Sequence, residues 1–458
     1  MAAVEFLAII LEKEKEVLRR CEICCEEFGY TMASEMSIEK FAEHSENYDQ
    51  VPFVMLSAVH ASQEESAGMV QVIRQILKDS FIMIVVDRKV PPEVANFVKK
   101  SGANIVILED ELLNTSKLEY VASQRVRASY LPIKSAELKV DTEIPFTVYH
   151  LMPLNQKFLP VVIRGVQLNE SRRTKLESVG EVYIRREDLD KYRKYIDTYQ
   201  DKTAAGLKSR CRAQFLTFCD TYVQLVMLLT DQSEYASFQA GKDLYERCST
   251  LASDVIMSLG AVGEAWEIIN NSSIGEFGSI ERAPAIAAYA GLFSLMSGIG
   301  EPKDVMISAL VADVALIDLD PKTTKILRNI ESMKLNDEQR VEYERHPLSS
   351  LNKGLSRRLP IPENVKQIII STHEQADQKG FPNKPRAEKI PAESSLIQFS
   401  ELIDQNCIIR MGKARVDYND VKKQIFNQEY LAANRFSLLF LEKIKSVIFQ
   451  DLFGEYFF

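Results

Sequence analysis

The chain has 458 residues, of which 46% are apolar and 26% are charged, and its formal net charge is −9. This length suffices for two or three domains, and the composition is typical of a soluble globular protein. The acidic balance argues against general nucleic-acid binding. No apolar run approaches the roughly 20 residues of a membrane-spanning helix, and the N-terminus lacks the basic region of a signal peptide, so we expect a cytoplasmic protein.

Seven cysteines are spread over the chain, and this odd number does not suggest a disulfide framework. Cys21, Cys24 and Cys25 form the one cluster and fall at helical spacing. No second pair follows at a distance suited to zinc. We interpret the cluster as one buried face of a helix.

Residues 1–120 alternate between short apolar runs and amphipathic stretches, and this alternation predicts a parallel, doubly wound α/β sheet. The apolar runs, each interpreted as a strand, are 6–11, 52–56, 81–86 and 104–108. The stretches interpreted as helices are 13–28, 63–78 and 91–100, the last with two prolines in its first turn.

This order resembles the receiver domain of response regulators, most closely in SGANIVILED at 101–110. The resemblance implies an acidic pair after the first strand, a phospho-accepting Asp and a Lys after the last strand. The corresponding positions are Glu12 with Glu14, Ser57, and Leu108 or Glu109. Because a serine cannot form the acyl phosphate and the Lys is missing, we expect a pseudo-receiver that serves as a docking or dimerisation module.

Residues 121–198 are interpreted as a linker, to about 141, followed by a small α+β module. We predict strands at 146–152, 157–164 and 181–184, and helices at 169–179 and 186–195. Six basic residues make the module locally positive, and they form either a solvated face or a docking patch for an acidic partner. They are Arg164, Arg172, Arg173, Lys175, Arg185 and Arg186.

Residues 199–458 are predicted to be all-helical. The stretch 202–230 carries a two-heptad apolar seam suited to packing or dimerisation: Phe215, Cys219, Tyr222, Val226 and Leu229. Region 376–391 is rich in Pro, Lys and Gly and is interpreted as a loop. The further predicted helices are 234–259, 261–270, 283–298, 303–318, 322–331, 336–345, 362–374, 392–406, 418–429 and 434–451.

Three segments of the helical region carry the motifs, namely SALVADVALIDLD at 308–320, HPLSSLN at 346–352 and THEQADQKGFP at 372–382. In this order and spacing they resemble the HD-GYP domain, whose active members hydrolyse cyclic di-GMP with two or three iron or manganese ions. The module at 142–198 is similar to one that often precedes such domains. The resemblance implies histidine and carboxylate ligands held between helices around the ions.

Several positions depart from the family pattern. Ala312, Leu316 and Thr372 stand where the resemblance implies a His, a Lys and a His. Gln375 replaces the motif Arg, and Gln378 replaces the first Gly of the loop. The five histidines of the chain include two in the helical region, so we expect no catalytic set.

Other motif residues remain. Asp313, His346 and His373 are retained as metal-ligand candidates, with Glu401 at the position of a late Asp and Glu281 near that of an early His. We expect no cofactor, and this set could hold at most one divalent ion, Fe or Mn. The nucleotide loop is represented by a further group of four: Asp377, Gly380, Phe381 and Pro382.

Three functions remain open from these residues. The first is a non-hydrolytic signalling protein that binds protein partners, such as a diguanylate-cyclase domain, and that we predict can form a homodimer. The second is an atypical cyclic di-GMP phosphodiesterase with a reduced metal site. The third is a sensor that binds cyclic di-GMP without cleaving it.

Overall fold

A computed structural model describes most of the chain, and its described residues form two compact units. The first unit covers Met1–Ser129, and the second covers most of the chain from Tyr130 onward. The description leaves out residues 1–5, 13, 28–29, 36, 45–50, 60, 79, 88–90, 114, 127–128, 153–156, 180, 231–237, 263–264, 273–278, 329–333, 408–434 and 449–458.

The first unit contains a five-stranded parallel sheet in the order β2-β1-β3-β4-β5. This is the strand order of flavodoxin-like doubly wound folds, and the predicted parallel α/β architecture is confirmed. The strands are β1 Phe6–Leu11, β2 Tyr30–Glu35, β3 Phe53–Ser57, β4 Phe81–Val86 and β5 Ile105–Leu108. The helices are α1 Lys15–Glu27, α2 Ile38–Glu43, α3 Gln63–Ile76, α4 Pro92–Lys100 and α5 Thr115–Val121.

The sequence interpretation missed β2 and α2. Strand β2 reads YTMASE, which is not an apolar run, and Tyr30 is its one buried residue because β2 lies at the sheet edge and pairs with β1 alone. The sequences of the other strands are mainly apolar, and all six residues of β4 are buried. The three clustered cysteines are fully buried on α1, as predicted. The identity of this sheet with a receiver remains a prediction.

The second unit begins with a four-stranded antiparallel sheet in the order β6-β9-β7-β8, and its core includes Phe146 and Tyr192. Of the predicted basic patch, Arg186 is buried in an ion pair with Asp220, and Arg173 pairs with Glu177. The elements are β6 Tyr130–Lys134, β7 Val148–Met152, β8 Lys157–Val162, α6 Glu170–Val179, β9 Glu181–Arg185 and α7 Leu189–Tyr199.

Helices form the rest of this unit, as predicted. They are α8 Ala204–Thr230, α9 Phe238–Gly260, α10 Ala265–Ser272, α11 Ser279–Ser297, α12 Pro302–Ala312, α13 Pro321–Arg328, α14 Asp337–Ser356, α15 Glu363–Ile370, α16 Ala392–Cys407 and α17 Leu438–Ile448. The helix predicted at 418–429 lies outside the described residues. No described helix combines the length and apolar character needed to cross a membrane.

The apolar seam of α8 belongs to the core of this unit. All five of its residues, from Phe215 to Leu229, are less than 5% exposed, and α8 packs along α9 and α7. The seam therefore serves packing within the chain, and it presents no surface for dimerisation.

Three predicted helix boundaries near the motifs were wrong. The helix predicted at 362–374 ends at Ile370, so His373 lies beyond it. The helix predicted to run to 318 ends at Ala312 and is followed by a 3-10 turn, Val314–Asp318. The helix predicted to end at 345 instead continues through Pro347 to Ser356. Proline usually ends or kinks a helix because it lacks a backbone N–H, and its accommodation here bears directly on the candidate site.

Candidate metal centre

Three side chains meet in the interior of the second unit. Asp313 follows the last residue of α12, His346 lies in the middle of α14, and His373 lies just after α15. Asp313 Oδ1 is 3.2 Å from His346 Nε2 and 3.1 Å from His373 Nε2, and the two Nε2 atoms are 3.0 Å apart. We call these three atoms the ligand triangle. All three residues are more than 90% buried.

Local structure places Asp313 at this point. Because α12 ends at Ala312, Asp313 is its C-cap, with φ −106° and ψ 2°. The turn that follows is held to α14 by the backbone N–H of Ala315, which donates to Ser350 Oγ at 2.8 Å. Asp313 and His346 are therefore positioned by elements that are hydrogen-bonded to each other.

Pro347 sets the orientation of the His346 ring. In an α-helix the N–H of residue 347 would donate to Tyr343 O, but proline has no N–H. His346 Nδ1 lies 2.5 Å from this oxygen. A carbonyl oxygen can only accept, so Nδ1 carries the proton, and the neutral ring directs an unprotonated Nε2 into the triangle. A hydrogen bond of this kind on the other ring nitrogen is the usual support of a metal-ligating histidine.

The Gly-Phe-Pro loop, which contains Gly380, Phe381 and Pro382, supports His373. The Phe381 ring stacks on the His373 ring with centroids 4.9 Å apart and an interplanar angle of 20°. The Phe381 N–H donates to His373 O at 3.1 Å. The Glu374 carboxylate accepts from the backbone N–H groups of Asn383 and Lys384, at 2.5 and 3.1 Å. These bonds hold the loop against the triangle.

The backbone of this loop explains two motif positions. A side chain on Gly380 would lie 2.4 Å from Gln375 N and from His373 O, so glycine is required there. Gln378 has φ +64°, in the left-handed region that favours glycine. Gln378 therefore adopts a conformation that glycine would adopt more readily.

Burial and mutual contact shift the acidities of the triangle. Burial alone would raise the pKa of Asp313, but its contacts with His346 and His373 outweigh burial and hold this pKa well below its ordinary value. Burial lowers the pKa of His346. Burial also acts to lower the pKa of His373, but hydrogen bonding to Asp313 and its negative charge raise it. Asp313 is therefore ionised, and His373 holds a proton more readily than His346 does.

Glu401 lies beside the triangle on α16. Burial raises its pKa to about 7, with the charge of Asp313 acting in the same direction and that of His373 opposing. A carboxyl with this pKa exchanges a proton near neutral pH. The sequence placed Glu401 at a ligand position, and the structure brings it to the edge of the same site.

The other neighbour of Asp313 is a small cavity of about 10 Å³, enough for about one water molecule. Ile286 and Ile397 line it together with four smaller side chains. We call the surface formed by these four the alanine side, defined by Ala283, Ala309, Ala312 and Thr372. The Thr372 hydroxyl donates to Ile368 O at 3.0 Å within its own turn. Glu401 and Asp313 are the carboxylates among the lining residues.

The remaining predicted residues have other surroundings. Leu316 is buried in the turn after Asp313. Asp377 accepts from the Lys379 N–H at 3.0 Å, which shapes the loop locally. Glu281 is buried in the first turn of α11 but is not among the residues that line the cavity. The sequence interpretation missed the neighbouring Arg282, which forms a buried ion pair with Asp404 that joins α11 to α16. Opposite charges 122 positions apart give no local signal.

The triangle has the dimensions of a metal site. Ligands at adjacent corners of an octahedron lie about 3.0 Å apart when each bond is about 2.1 Å. The three observed separations, 3.0 to 3.2 Å, match this value. Within the described ranges, Asp313, His346 and His373 form the one group of three such side chains close enough to hold an ion. Without a metal, the His373 proton can satisfy the same contacts.

Comparison with known proteins identifies the surrounding domain. Residues 276–417, which span α11 to α16, match the model of the HD domain family. No curated protein matches the chain. A solved structure, "Bd1817, a HDG"Y"P protein from Bdellovibrio bacteriovorus", is 16% identical, covers 70% of this chain and 99% of its own, and has a TM-score of 0.44. A likeness of this degree does not bear on the chemistry of the site.

Proposed function

We propose that the second unit contains a degenerate HD-GYP-type domain that binds one divalent ion, does not hydrolyse cyclic di-GMP, and acts by binding protein partners. The HD family match supports the first part, because HD domains are typically metal-dependent phosphohydrolases. The observation that carries the rest is the alanine side. Ala312 and Thr372 stand where the motif resemblance implies two further ligands, and the Thr372 hydroxyl is already bonded to Ile368 O.

A two-metal site needs ligands on both sides of a shared carboxylate, so that one ion activates water while the second neutralises the leaving oxygen. Asp313 has two imidazoles on one side and Glu401 with apolar side chains on the other. One ion therefore has three ligands from the protein, whereas a second would have two carboxylates at best. Leu316 and Gln375, at the positions of the motif cations, offer no charge to the phosphates of a dinucleotide.

The ion proposed is iron(II) or manganese. Two histidines and one carboxylate on one face of an octahedron are the ligand set typical of such metals. Zinc prefers a tetrahedral set, whose ligands lie about 3.4 Å apart at a bond length of about 2.1 Å. Separations of 3.0 to 3.2 Å are also ordinary hydrogen-bond lengths, so the choice of iron or manganese rests on the ligand types.

The binding surface proposed for a protein partner, a diguanylate-cyclase domain in the first instance, is the Gly-Phe-Pro loop. Glu374 and the packing of Phe381 hold this loop in one conformation. A rigid loop lowers the entropic cost of binding. The N-terminal unit, proposed as a pseudo-receiver, would provide a second docking module.

The direct test combines elemental analysis with a turnover assay on the purified full chain. We expect about one Mn or Fe per chain, lost in His373→Ala, and no cleavage of cyclic di-GMP with either metal added. Cleavage that Asp313→Ala abolishes would overturn the non-hydrolytic assignment. Two metals per chain would overturn the single-ion site.

The triangle geometry also favours one alternative, a mono-metal phosphodiesterase. Three facial ligands leave three open positions for water and a phosphate oxygen. In that case the same assay gives slow turnover with one metal bound, and activity and metal are lost together in His373→Ala. A calorimetric titration that shows binding of cyclic di-GMP without turnover would instead support a sensor.

A further inference from the structure

The outer face of α14 carries a regular apolar stripe. Val341, Leu348 and Leu355 are spaced seven residues apart and are 51%, 46% and 41% exposed. Residues seven apart lie on one side of a helix, and this spacing is the signature of helices that pair along their length. Scattered single apolar residues on a surface need no explanation, but three in one register over two heptads form a continuous contact line.

Charge along α14 is divided between its two halves. From Asp337 to His346 there are four acidic and two basic residues. From Pro347 to Arg358, which lies two residues beyond the end of α14, there are three basic residues and no acidic one. Of these, Lys353 pairs with Asp318 of its own chain, and the Arg358 guanidinium lies 4.5 Å from the centroid of the Phe238 ring. Asp337 and Glu338, at the start, make no ion pair with any other described residue. This division follows the helix dipole, and it also makes the helix electrostatically complementary to an antiparallel copy of itself.

We propose that the outer face of α14 binds α14 of a second copy of this chain, antiparallel, about a two-fold axis at Leu348. In this arrangement Leu348 contacts its own counterpart, and Val341 packs against the partner's Leu355. The acidic first turn, with Asp337 and Glu338, then lies near Arg358 at the opposite end of the partner helix. A two-fold axis requires such self-complementarity of one surface.

The charge pattern selects this occupant over others. A parallel pairing would place the acidic turns side by side and the basic turns side by side, which opposes association. The antiparallel pairing brings opposite charges together at both ends. The seam of α8, where the sequence had allowed for dimerisation, is buried in the core, so α14 supplies the exposed heptad line that α8 does not. His346 lies on the buried side of α14, away from the stripe.

The oligomeric state of the full chain tests the proposal. We expect light scattering after size exclusion to report a dimer, and Leu348→Glu to raise its dissociation constant at least about tenfold, since two charges would meet at the axis. Leu295→Glu is the matched control, because Leu295 on α11 is equally exposed, at 46%. A monomer at all concentrations, or an equal effect of both substitutions, would overturn the proposal.

Cysteine cross-linking tests the geometry separately. Leu348→Cys should form a covalent dimer on mild oxidation. Val341→Cys alone should not, because two heptads of helix, about 21 Å, would separate it from its counterpart. A mixture of Val341→Cys and Leu355→Cys chains should cross-link to each other. Rapid self-cross-linking of Val341→Cys would contradict the antiparallel arrangement, even if the chain is dimeric.

Discussion

The ligand triangle and the alanine side adjoin each other, since Asp313 belongs to the triangle and Ala312 to the alanine side, yet they are built differently. Each histidine of the triangle has a support outside it, Tyr343 O for His346 and the Phe381 ring for His373. The alanine side has small side chains and a hydroxyl bonded within its own turn. The histidines of the triangle are thus oriented by the structure around them, whereas the alanine side has no such ligand to orient.

This difference has an energetic explanation. A buried carboxylate is costly unless it is paired, and Asp313 accepts a hydrogen bond from His373. Alanine or threonine in place of a buried ligand leaves no unpaired charge. The polar group is absent, so no hydrogen-bond partner is needed for it. A helical frame can therefore lose ligands on one side while the other side stays oriented.

The largest expected effect comes from neutralising the triangle. Asp313→Asn keeps the shape of the side chain but removes the one negative ligand, so manganese affinity should fall by at least about 100-fold. Isothermal titration with Mn²⁺ measures this. Asp318→Asn is the control, because Asp318 lies in the turn just after Asp313 and pairs with Lys353 at the surface. Equal affinities of both variants would show that the triangle is not the metal site.

The next effect concerns the loop behind His373. A methyl group at position 380 would lie 2.4 Å from backbone atoms of Gln375 and His373, so Gly380→Ala should lower the free energy of unfolding by about 2–3 kcal/mol. Chemical denaturation measures it. Gly68→Ala, in α3 with no atom within 4 Å, should be neutral or stabilising. A Gly380→Ala chain as stable as the wild type would mean that the loop can move away from the triangle.

Much of this arrangement could be predicted from the sequence, and the misses have physical causes. Apolar runs gave strands β1, β3, β4 and β5, whereas β2 was missed because its sequence, YTMASE, is not an apolar run. The motif spacing placed Asp313, His346 and His373 together. The motif spacing could not predict the role of Pro347, because a proline in a helical pattern is normally interpreted as the end of the helix. Only the structure shows that another group donates to the carbonyl four residues earlier. The pairing of Arg282 with Asp404 was equally hidden, since it depends on the packing of distant helices.

Pro347 provides a sharper comparison, because its substitution should separate stability from metal affinity. Pro347→Ala restores a backbone N–H that competes with His346 Nδ1 for Tyr343 O. We expect an unchanged or higher melting temperature, since alanine is the better helix former, but roughly tenfold weaker manganese binding. Pro302→Ala is the control, because Pro302 lies at the first position of α12, where no N–H is needed. A loss of stability without a loss of affinity would refute a positioning role.

A metal-binding side chain can be introduced on the alanine side. Ala312→His places an imidazole beside a cavity of about 10 Å³, so overpacking should cost about 1–2 kcal/mol without metal. If the new ring reaches a metal together with Asp313 and Glu401, added Mn²⁺ should recover most of that loss. Ala312→Leu is similar in size and cannot ligate, so Mn²⁺ should not rescue it. Equal rescue of both variants would show that the recovery comes from the triangle alone.

The smallest effect is the pH dependence of the metal-bound state. The pKa of His373 is raised and that of His346 is lowered, so in the metal-free chain the two act oppositely. His373 adds to the free energy of unfolding at a pH below its pKa in the unfolded chain, and this stabilisation is lost as the pH rises through its pKa in the folded chain. His346 instead lowers the free energy of unfolding as the pH falls below the ordinary pKa of histidine.

A bound metal removes this opposition, because both rings must then be unprotonated. Asp313 stays ionised throughout, since its pKa is lowered. Manganese affinity should therefore fall as the pH drops below the raised pKa of His373, by at most about tenfold per pH unit for the one proton displaced, and should level off above that pKa. Titrations of the wild type and of Asp318→Asn should coincide. An affinity independent of pH between about 5.5 and 7.5 would mean that the metal does not displace the His373 proton, and the triangle would then be held together by hydrogen bonds alone.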